Sequence, residues 1–161
     1  MHLVEWHDYF VAQAGASAAI AGLLFVALSI NIERIIKMPW LPARAAMTVL
    51  VLVGSVIEAL LALWAHQSSL ALGIELLIVS LVVWGYTIRL SIESAKTPKE
   101  FAKYNFQSVA VVQLAAFPTV LGAAGILFGF EASMYAVAFA MVMAIFVAFL
   151  NSWVLLVEIL R

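Results

Sequence analysis

The chain has 161 residues, of which 66% are hydrophobic and 11% charged, and its mean hydropathy is +1.14. Soluble domains average about 45–50% apolar and about 25% charged residues, so this composition predicts an integral membrane protein and excludes a soluble enzyme. The net charge of −1 offers no electrostatic footprint for nucleic acid. Because the chain contains no cysteine, disulfides and thiolate metal sites are excluded as well.

Five apolar stretches are each long enough to cross a bilayer as a helix, which takes about 20 residues. Apolar and polar residues do not alternate as they do in a membrane barrel, so the spans are predicted to be helices. The predicted fold is an all-α, polytopic membrane bundle that forms a single transmembrane domain. The five predicted spans lie near residues 10–32, 45–65, 71–92, 106–130 and 133–157.

The segments between these spans carry turn and helix-start signals. Pro39 and Pro42 lack the N–H that a helix needs, so they separate the first span from the second. The segment 93–105 is the longest polar stretch, and Thr97 is predicted to cap a short interfacial helix that carries Phe101.

The basic residues predict how the chain is oriented in the membrane, because Lys and Arg concentrate in cytoplasmic loops. With five spans, every Lys and Arg falls on the same side, around the first and third connections and at the C-terminus. Four or six spans would divide the basic residues between the two sides. The predicted topology therefore has an outside N-terminus and a cytoplasmic C-terminus.

Small residues mark the faces on which membrane helices approach one another closely. In the first span Gly15, Gly22 and Ser29 recur every seven residues, which is the spacing of a left-handed packing seam. We expect this helix to be central, with a Gly and Ala surface that either packs tightly or lines a narrow lumen. The fifth span carries alanines at four-residue intervals, a pattern typical of close right-handed crossings. These alanines are Ala136, Ala140, Ala144 and Ala148.

The fourth span contains a third candidate seam. Gly122, Gly125 and Gly129 share one face with Pro118, which frees a carbonyl from its helical hydrogen bond and predicts a kink or hinge. The three seams either fold one bundle or leave one face available for self-association. A homo-oligomer is the inference that follows from the second interpretation.

Glu58 is the strongest functional candidate in the sequence. An ionisable residue at the centre of a span costs about 2.5–3.5 kcal/mol to insert, so such residues point to function. Glu58 lies about two thirds of the way along the second span, with no cation nearby in the sequence. Desolvation favours the neutral form of this carboxyl. It either serves a proton or cation pathway or hydrogen-bonds a neighbouring helix.

Four further polar residues extend the predicted ion or proton pathway. Glu75 lies about one turn into the third span, where it either joins Glu58 or reaches the headgroups. Gln113 lies in the fourth span, and Gln13 and Ser17 are one turn apart in the first. Each of these three either lines the pathway or joins two helices by a hydrogen bond.

Metal binding and catalysis receive little support from the sequence. His2, Glu5 and His66 fall on the predicted outer side and offer a weak alternative as a zinc site. No nucleotide-binding, zinc-protease or nucleophile-elbow motif is present, and the loops are too short for a catalytic domain. We therefore expect neither an enzyme nor a cofactor.

Residues 15–32, GASAAIAGLLFVALSINI, and residues 41–45, LPARA, carry a resemblance to a group of small bacterial multi-span integral-membrane proteins. The match covers the first span and the start of the second. The resemblance implies a shared architecture and a place in the bacterial cytoplasmic membrane. It implies no particular activity and no functional residues.

The sequence as a whole predicts a homo-oligomeric five-helix protein that forms or gates a narrow ion or proton pathway in the lipid bilayer. In this hypothesis Glu58 is the buried titratable group, and the small-residue face of the first helix lies near the axis. The alternative is a non-catalytic regulatory subunit that binds another membrane protein through its small-residue helix faces.

Overall fold

The computed structural model describes residues 3–38, 40–94 and 102–157, and the chain is helical with short turns throughout these ranges. Five helices in the described ranges are long and apolar enough to cross a membrane, which confirms the predicted all-α class and the predicted number of long apolar helices. Their bounds agree with the predicted spans to within about four residues. A short 3-10 helix, Leu3–Trp6, comes first, followed by α1 (His7–Ile30), α2 (Ile32–Ile35), α3 (Leu41–Ala62), α4 (Ser69–Ser94), α5 (Ala102–Leu127) and α6 (Ser133–Val157).

Local chemistry explains where the helices begin and end. Asn31 interrupts the first helix, and its side-chain Nδ2 donates to the carbonyl of Ala27 at 3.1 Å. Pro42 lies in the first turn of α3, where a missing N–H is tolerated. Thr97 and Phe101 lie outside the described residues. Residues 102–105 belong to α5, whereas residues 95–101 of the predicted interfacial segment lie outside the described residues, so the interfacial helix stays a prediction.

Helix α5 is continuous through Pro118 and ends in a glycine cap. Gly129 has a φ of +79°, a conformation that glycine adopts without steric strain. The N–H of Phe130 donates to the carbonyl of Gly125 at 3.0 Å, and that of Gly129 donates to Ile126 at 3.0 Å. These two bonds form a Schellman motif, which turns the chain directly into α6.

The central helix of the bundle is α3. It contacts each of the other four long helices, and half of its most apolar 18-residue stretch is buried, compared with 22% for α1. Helix α1 packs mainly against α3 and α6. The expectation that the first span is central was therefore wrong. Gly15, Gly22 and Ser29 are exposed, whereas the buried residues of α1 are Phe10, Gln13, Ser17, Leu24 and Ala27.

The other two small-residue seams serve packing within the bundle. A Cβ atom added at Gly122 would lie 2.7 Å from Cγ2 of Val137 on α6, so α5 and α6 can approach this closely only with glycine there. Ala140, Ala144 and Ala148 of α6 are buried, and Ala136 is half-buried. These two seams fold one bundle, as the first of the two interpretations predicted.

Candidate ion or proton site

The polar residues of α3 lie on one buried face. Arg44, Thr48, Ser55 and Glu58 are separated by close to whole helical turns, so their side chains project from the same side. All four are buried inside the bundle. The face carries a guanidinium near the start of α3 and a carboxyl near its end, about 20 Å apart along the axis.

Glu58 is buried without a polar partner. The residue is 5% exposed, and no other residue within the described ranges forms a hydrogen bond or ion pair with it. Buried polar side chains in proteins are almost always hydrogen-bonded, so an exception calls for an explanation. The alternative that Glu58 joins two helices by a neutral hydrogen bond is not what the structure describes.

Glu58 is one of the residues that line a small cavity between α3, α4, α5 and α6. Three buried hydroxyls line the same cavity: Ser55 of α3, Ser80 of α4 and Thr119 of α5. We call these four residues the Glu58 cluster. The space open to the centre of a water molecule is about 10 Å³, close to the minimum for one water.

Helix α1 reaches this cluster through Gln13. Its Nε2 lies 3.1 Å from Oγ of Ser17, 3.1 Å from Oγ of Ser55 and 3.0 Å from the carbonyl oxygen of Met141. Gln13 and Ser17 are both buried. The amide therefore links α1 to α3 and α6, and it holds Ser55 at the edge of the cavity.

Two other predicted pathway residues lie elsewhere. Glu75 is half-buried and accepts a hydrogen bond from Nε2 of Gln67, in the connection between α3 and α4. Gln113 lies 3.4 Å, measured from Nε2, from Oγ of Ser91 on α4. Neither residue lines the Glu58 cavity. Of the predicted pathway residues, the structure joins Gln13 and Ser17 to Ser55, which lines the cavity together with Glu58.

A second buried polar group, whose arginine could not be singled out from the sequence, lies nearer the start of α3. Arg44 donates from Nε and Nη2 to Oδ1 of Asn151 at 3.0 and 2.9 Å, and Asn151 donates to Oγ1 of Thr48 at 2.7 Å. Oγ of Ser108 lies 3.4 Å from the same Oδ1. We call these four residues the Arg44 cluster. From the sequence, Arg44 was assigned to the loop before the second span, whereas in the structure it is the fourth residue of α3.

An apolar layer separates the two polar clusters. Ser55 and Thr48 are seven residues apart, which is about 10 Å along the helix. A hydrophobic cluster of buried aliphatic side chains includes Val51 of α3, Val112 and Ala115 of α5, and Ala144 and Val147 of α6. Val51, Ala115 and Ala144 also line the cavity beside Glu58. Within the described ranges, no polar side chain bridges this layer.

The residues of the weak zinc alternative do not form a site in the described structure. Glu5 and His66 are exposed, and His2 lies outside the described residues. The described part of the chain contains no group of three His, Cys, Asp or Glu side chains that could hold a metal ion.

The small residues of α1 form an exposed face. A Cβ atom added at Gly15 or Gly22 would meet no atom within 4 Å, and Ser29 is exposed with its hydroxyl donated to the carbonyl of Phe25. We call Gly15, Gly22 and Ser29 the α1 face. It contributes nothing to packing within the bundle.

Comparison of the chain with protein-family models, curated proteins and solved structures found no match. The resemblance carried by the first span and the start of the second therefore stays a prediction.

Proposed function

We propose that this protein carries a proton or small cation across a membrane through the interior of its own helix bundle, with Glu58 as the ion-binding carboxyl. The observation that supports this best is a glutamate only 5% exposed, without a hydrogen-bond partner among the described residues, in the lining of a water-sized cavity. A carboxyl retained only for folding would be expected to have hydrogen-bond partners. A carboxyl that binds and releases an ion needs its oxygen atoms available.

The size of the cavity favours a proton or a bare ion over a hydrated one. About 10 Å³ accommodates roughly one water molecule, so an ion with its hydration shell does not fit. Hydroxyls such as those of Ser55, Ser80 and Thr119 both donate and accept hydrogen bonds, which suits them to pass a proton or to bind a cation. The apolar layer between Glu58 and the Arg44 cluster then acts as the barrier that the ion crosses when the bundle opens.

The pathway runs inside one subunit in this proposal, because Glu58 and the α1 face lie in different places. The α1 face is exposed and carries no ionisable side chain, whereas Glu58 is enclosed by four helices. We propose that the α1 face mediates self-association. The alternative, a regulatory subunit, uses the same face to bind a different membrane protein.

The proposed location is the bacterial cytoplasmic membrane, with the N-terminus outside and the C-terminus in the cytoplasm. The five apolar helices support a multi-pass protein. The orientation is supported by the basic residues, which the five-span arrangement gathers on one side.

Proton flux into liposomes tests the proposed function. Purified protein is reconstituted with a trapped pH-sensitive dye, and a potassium gradient with valinomycin supplies the driving voltage. We expect the interior of the liposomes to acidify. Glu58→Gln should reduce the rate of acidification at least tenfold, because the amide cannot exchange a proton. Glu75→Gln is the matched control, since Glu75 lies outside the cavity, and it should retain the flux. Flux that is absent across a pH series, or that persists unchanged in Glu58→Gln, contradicts the proposal.

A further inference from the structure

We infer that the Glu58 cavity binds one dehydrated Na⁺ ion in exchange for the proton of the carboxyl. This inference rests on the proposed role of Glu58 as the ion-binding group, and it specifies the ion. The inference is based on three properties of the cavity: the chemistry of the lining atoms, the charge of the site and its size.

The polar side chains that line the cavity offer only oxygen atoms. They are the carboxyl of Glu58 and the hydroxyls of Ser55, Ser80 and Thr119, contributed by three different helices. Oxygen ligands suit hard cations, whereas the softer transition metals favour nitrogen and sulfur. The cavity is therefore built for a proton or a hard cation.

The hydrogen bonds around the cavity leave hydroxyl lone pairs available. Oγ of Ser80 donates its hydrogen to the carbonyl of Leu77 at 3.1 Å, so its lone pairs are free to face a cation. Oγ of Ser55 accepts from Nε2 of Gln13 at 3.1 Å and lies 3.4 Å from Oγ of Ser17, to which it can donate. With its hydrogen directed to Ser17, Ser55 retains a lone pair for the cavity.

The charge of the site matches a monovalent ion. Glu58 is the sole titratable side chain among the described residues that line the cavity. The residues that approach from α1, Gln13 and Ser17, are neutral, and Glu75 of α4 is hydrogen-bonded to Gln67 away from the cavity. One carboxylate neutralises one positive charge. A divalent ion would leave a net charge buried in a low-dielectric interior, which is strongly unfavourable.

The size of the cavity excludes a hydrated ion. A cavity of about 10 Å³ lies near the lower limit for one water molecule, so a bound ion sheds its hydration shell. A bare Na⁺ ion is smaller than a water molecule, whereas K⁺ is about as large as one, and Na⁺ is therefore the ion that we propose.

Na⁺ binding is an exchange of one Na⁺ ion for one proton at the carboxyl of Glu58. The protonated acid of Glu58 and Na⁺ give the carboxylate–Na⁺ pair and a released proton, so the site is neutral before and after. Na⁺ and H⁺ therefore compete, and acidification weakens Na⁺ binding.

Thermal unfolding of the full chain in detergent tests this inference. Na⁺ is titrated against choline at constant ionic strength, at alkaline and acidic pH. We expect the Tm of the wild type to rise by about 3 °C for each tenfold increase in Na⁺ above the Kd, less with K⁺ and less at acidic pH. Glu58→Gln should abolish this dependence, and Glu75→Gln should retain it.

A second variant keeps the test decisive if Glu58→Gln does not fold. Thr119→Val keeps the side-chain shape and removes one ligand, so about tenfold more Na⁺ should be needed for the same Tm rise. A wild-type Tm that is identical in Na⁺, K⁺ and choline overturns the inference, as does a Na⁺ dependence that Glu58→Gln or Thr119→Val leaves unchanged.

The binding and flux experiments separate the two proposals. Glu58-dependent proton flux without any effect of Na⁺ on the Tm contradicts Na⁺ binding and leaves the proposed function intact. Na⁺ binding at Glu58 without flux of any ion contradicts transport and leaves the binding site.

Discussion

Arg44 and Glu58 lie on the same buried face of α3, and the clusters named after them differ in how their polar atoms are paired. Arg44 donates twice to Asn151, which in turn donates to Thr48, so this cluster joins α3 and α6 through short hydrogen bonds. The carboxyl of Glu58 faces a cavity and has no polar partner within the described ranges. Buried ionisable side chains in this bundle therefore fall into two groups: the paired guanidinium fixes the helices, and in our proposal the unpaired carboxyl is available to a ligand.

The largest loss of stability is expected in the Arg44 cluster. Asn151→Leu removes the acceptor of two hydrogen bonds from a buried guanidinium, so we expect the free energy of unfolding to fall by about 3 kcal/mol. Chemical unfolding in detergent micelles measures this. Ser152→Ala, at the next position of α6, is the control and should change the value little. A loss below about 1 kcal/mol for Asn151→Leu would show that the two clusters do not differ in the way described.

In the Glu58 cluster, the corresponding substitution should raise the free energy of unfolding instead of lowering it. Glu58→Leu replaces an unpaired buried carboxyl by an apolar side chain of similar size, so we expect the free energy of unfolding to rise by about 1–2 kcal/mol. The measurement is made in choline chloride, where no Na⁺ stabilises the wild type. Glu75→Leu is the matched control, because it loses the hydrogen bond from Gln67 and should be slightly less stable. A marked destabilisation by Glu58→Leu would assign Glu58 a structural role.

A variant outside both clusters gives the smallest expected change in stability and tests self-association. Gly15→Leu should alter the free energy of unfolding by less than about 1 kcal/mol, since no atom lies within 4 Å of the added Cβ. If the α1 face joins subunits, the larger side chain dissociates the oligomer, which analytical ultracentrifugation in detergent measures. Gly85→Leu is the matched control on α4, because Gly85 is also exposed with open space around it. An unchanged oligomer in Gly15→Leu argues against this face as the interface.

The number and the bounds of the helices could be predicted because each has a local cause. Long apolar runs form the spans, and features such as Pro42 and Gly129 mark where they begin and end. Which helix faces are buried inside the bundle could not be predicted in the same way. Lipid tails are as apolar as leucine, so a face that contacts lipid and a face that contacts protein have similar compositions. Gly15 and Gly122 both belong to regular small-residue seams, yet only Gly122 is in close contact with another helix.

The candidate site was predictable only in part for a related reason. Glu58 stands out because a charged residue is rare in an apolar span. Ser80 carries no such signal, because a hydroxyl in a helix bonds the carbonyl of its own preceding turn, as Ser80 does with Leu77. Arg44 was missed because positive charge near the start of a span is the ordinary mark of a cytoplasmic boundary. Only the three-dimensional arrangement shows that Arg44 turns inward to Asn151.

The central place of α3 has a consequence for how the chain is made. During synthesis α3 leaves the ribosome before α4, α5 and α6, three of the four long helices that surround it in the finished protein. Until α6 arrives, the guanidinium of Arg44 lacks the acceptor that Asn151 provides, so the insertion machinery or water must shelter it. Asn151 is supplied by the last helix to emerge, so the hydrogen bonds between Arg44 and Asn151 form only near the end of translation.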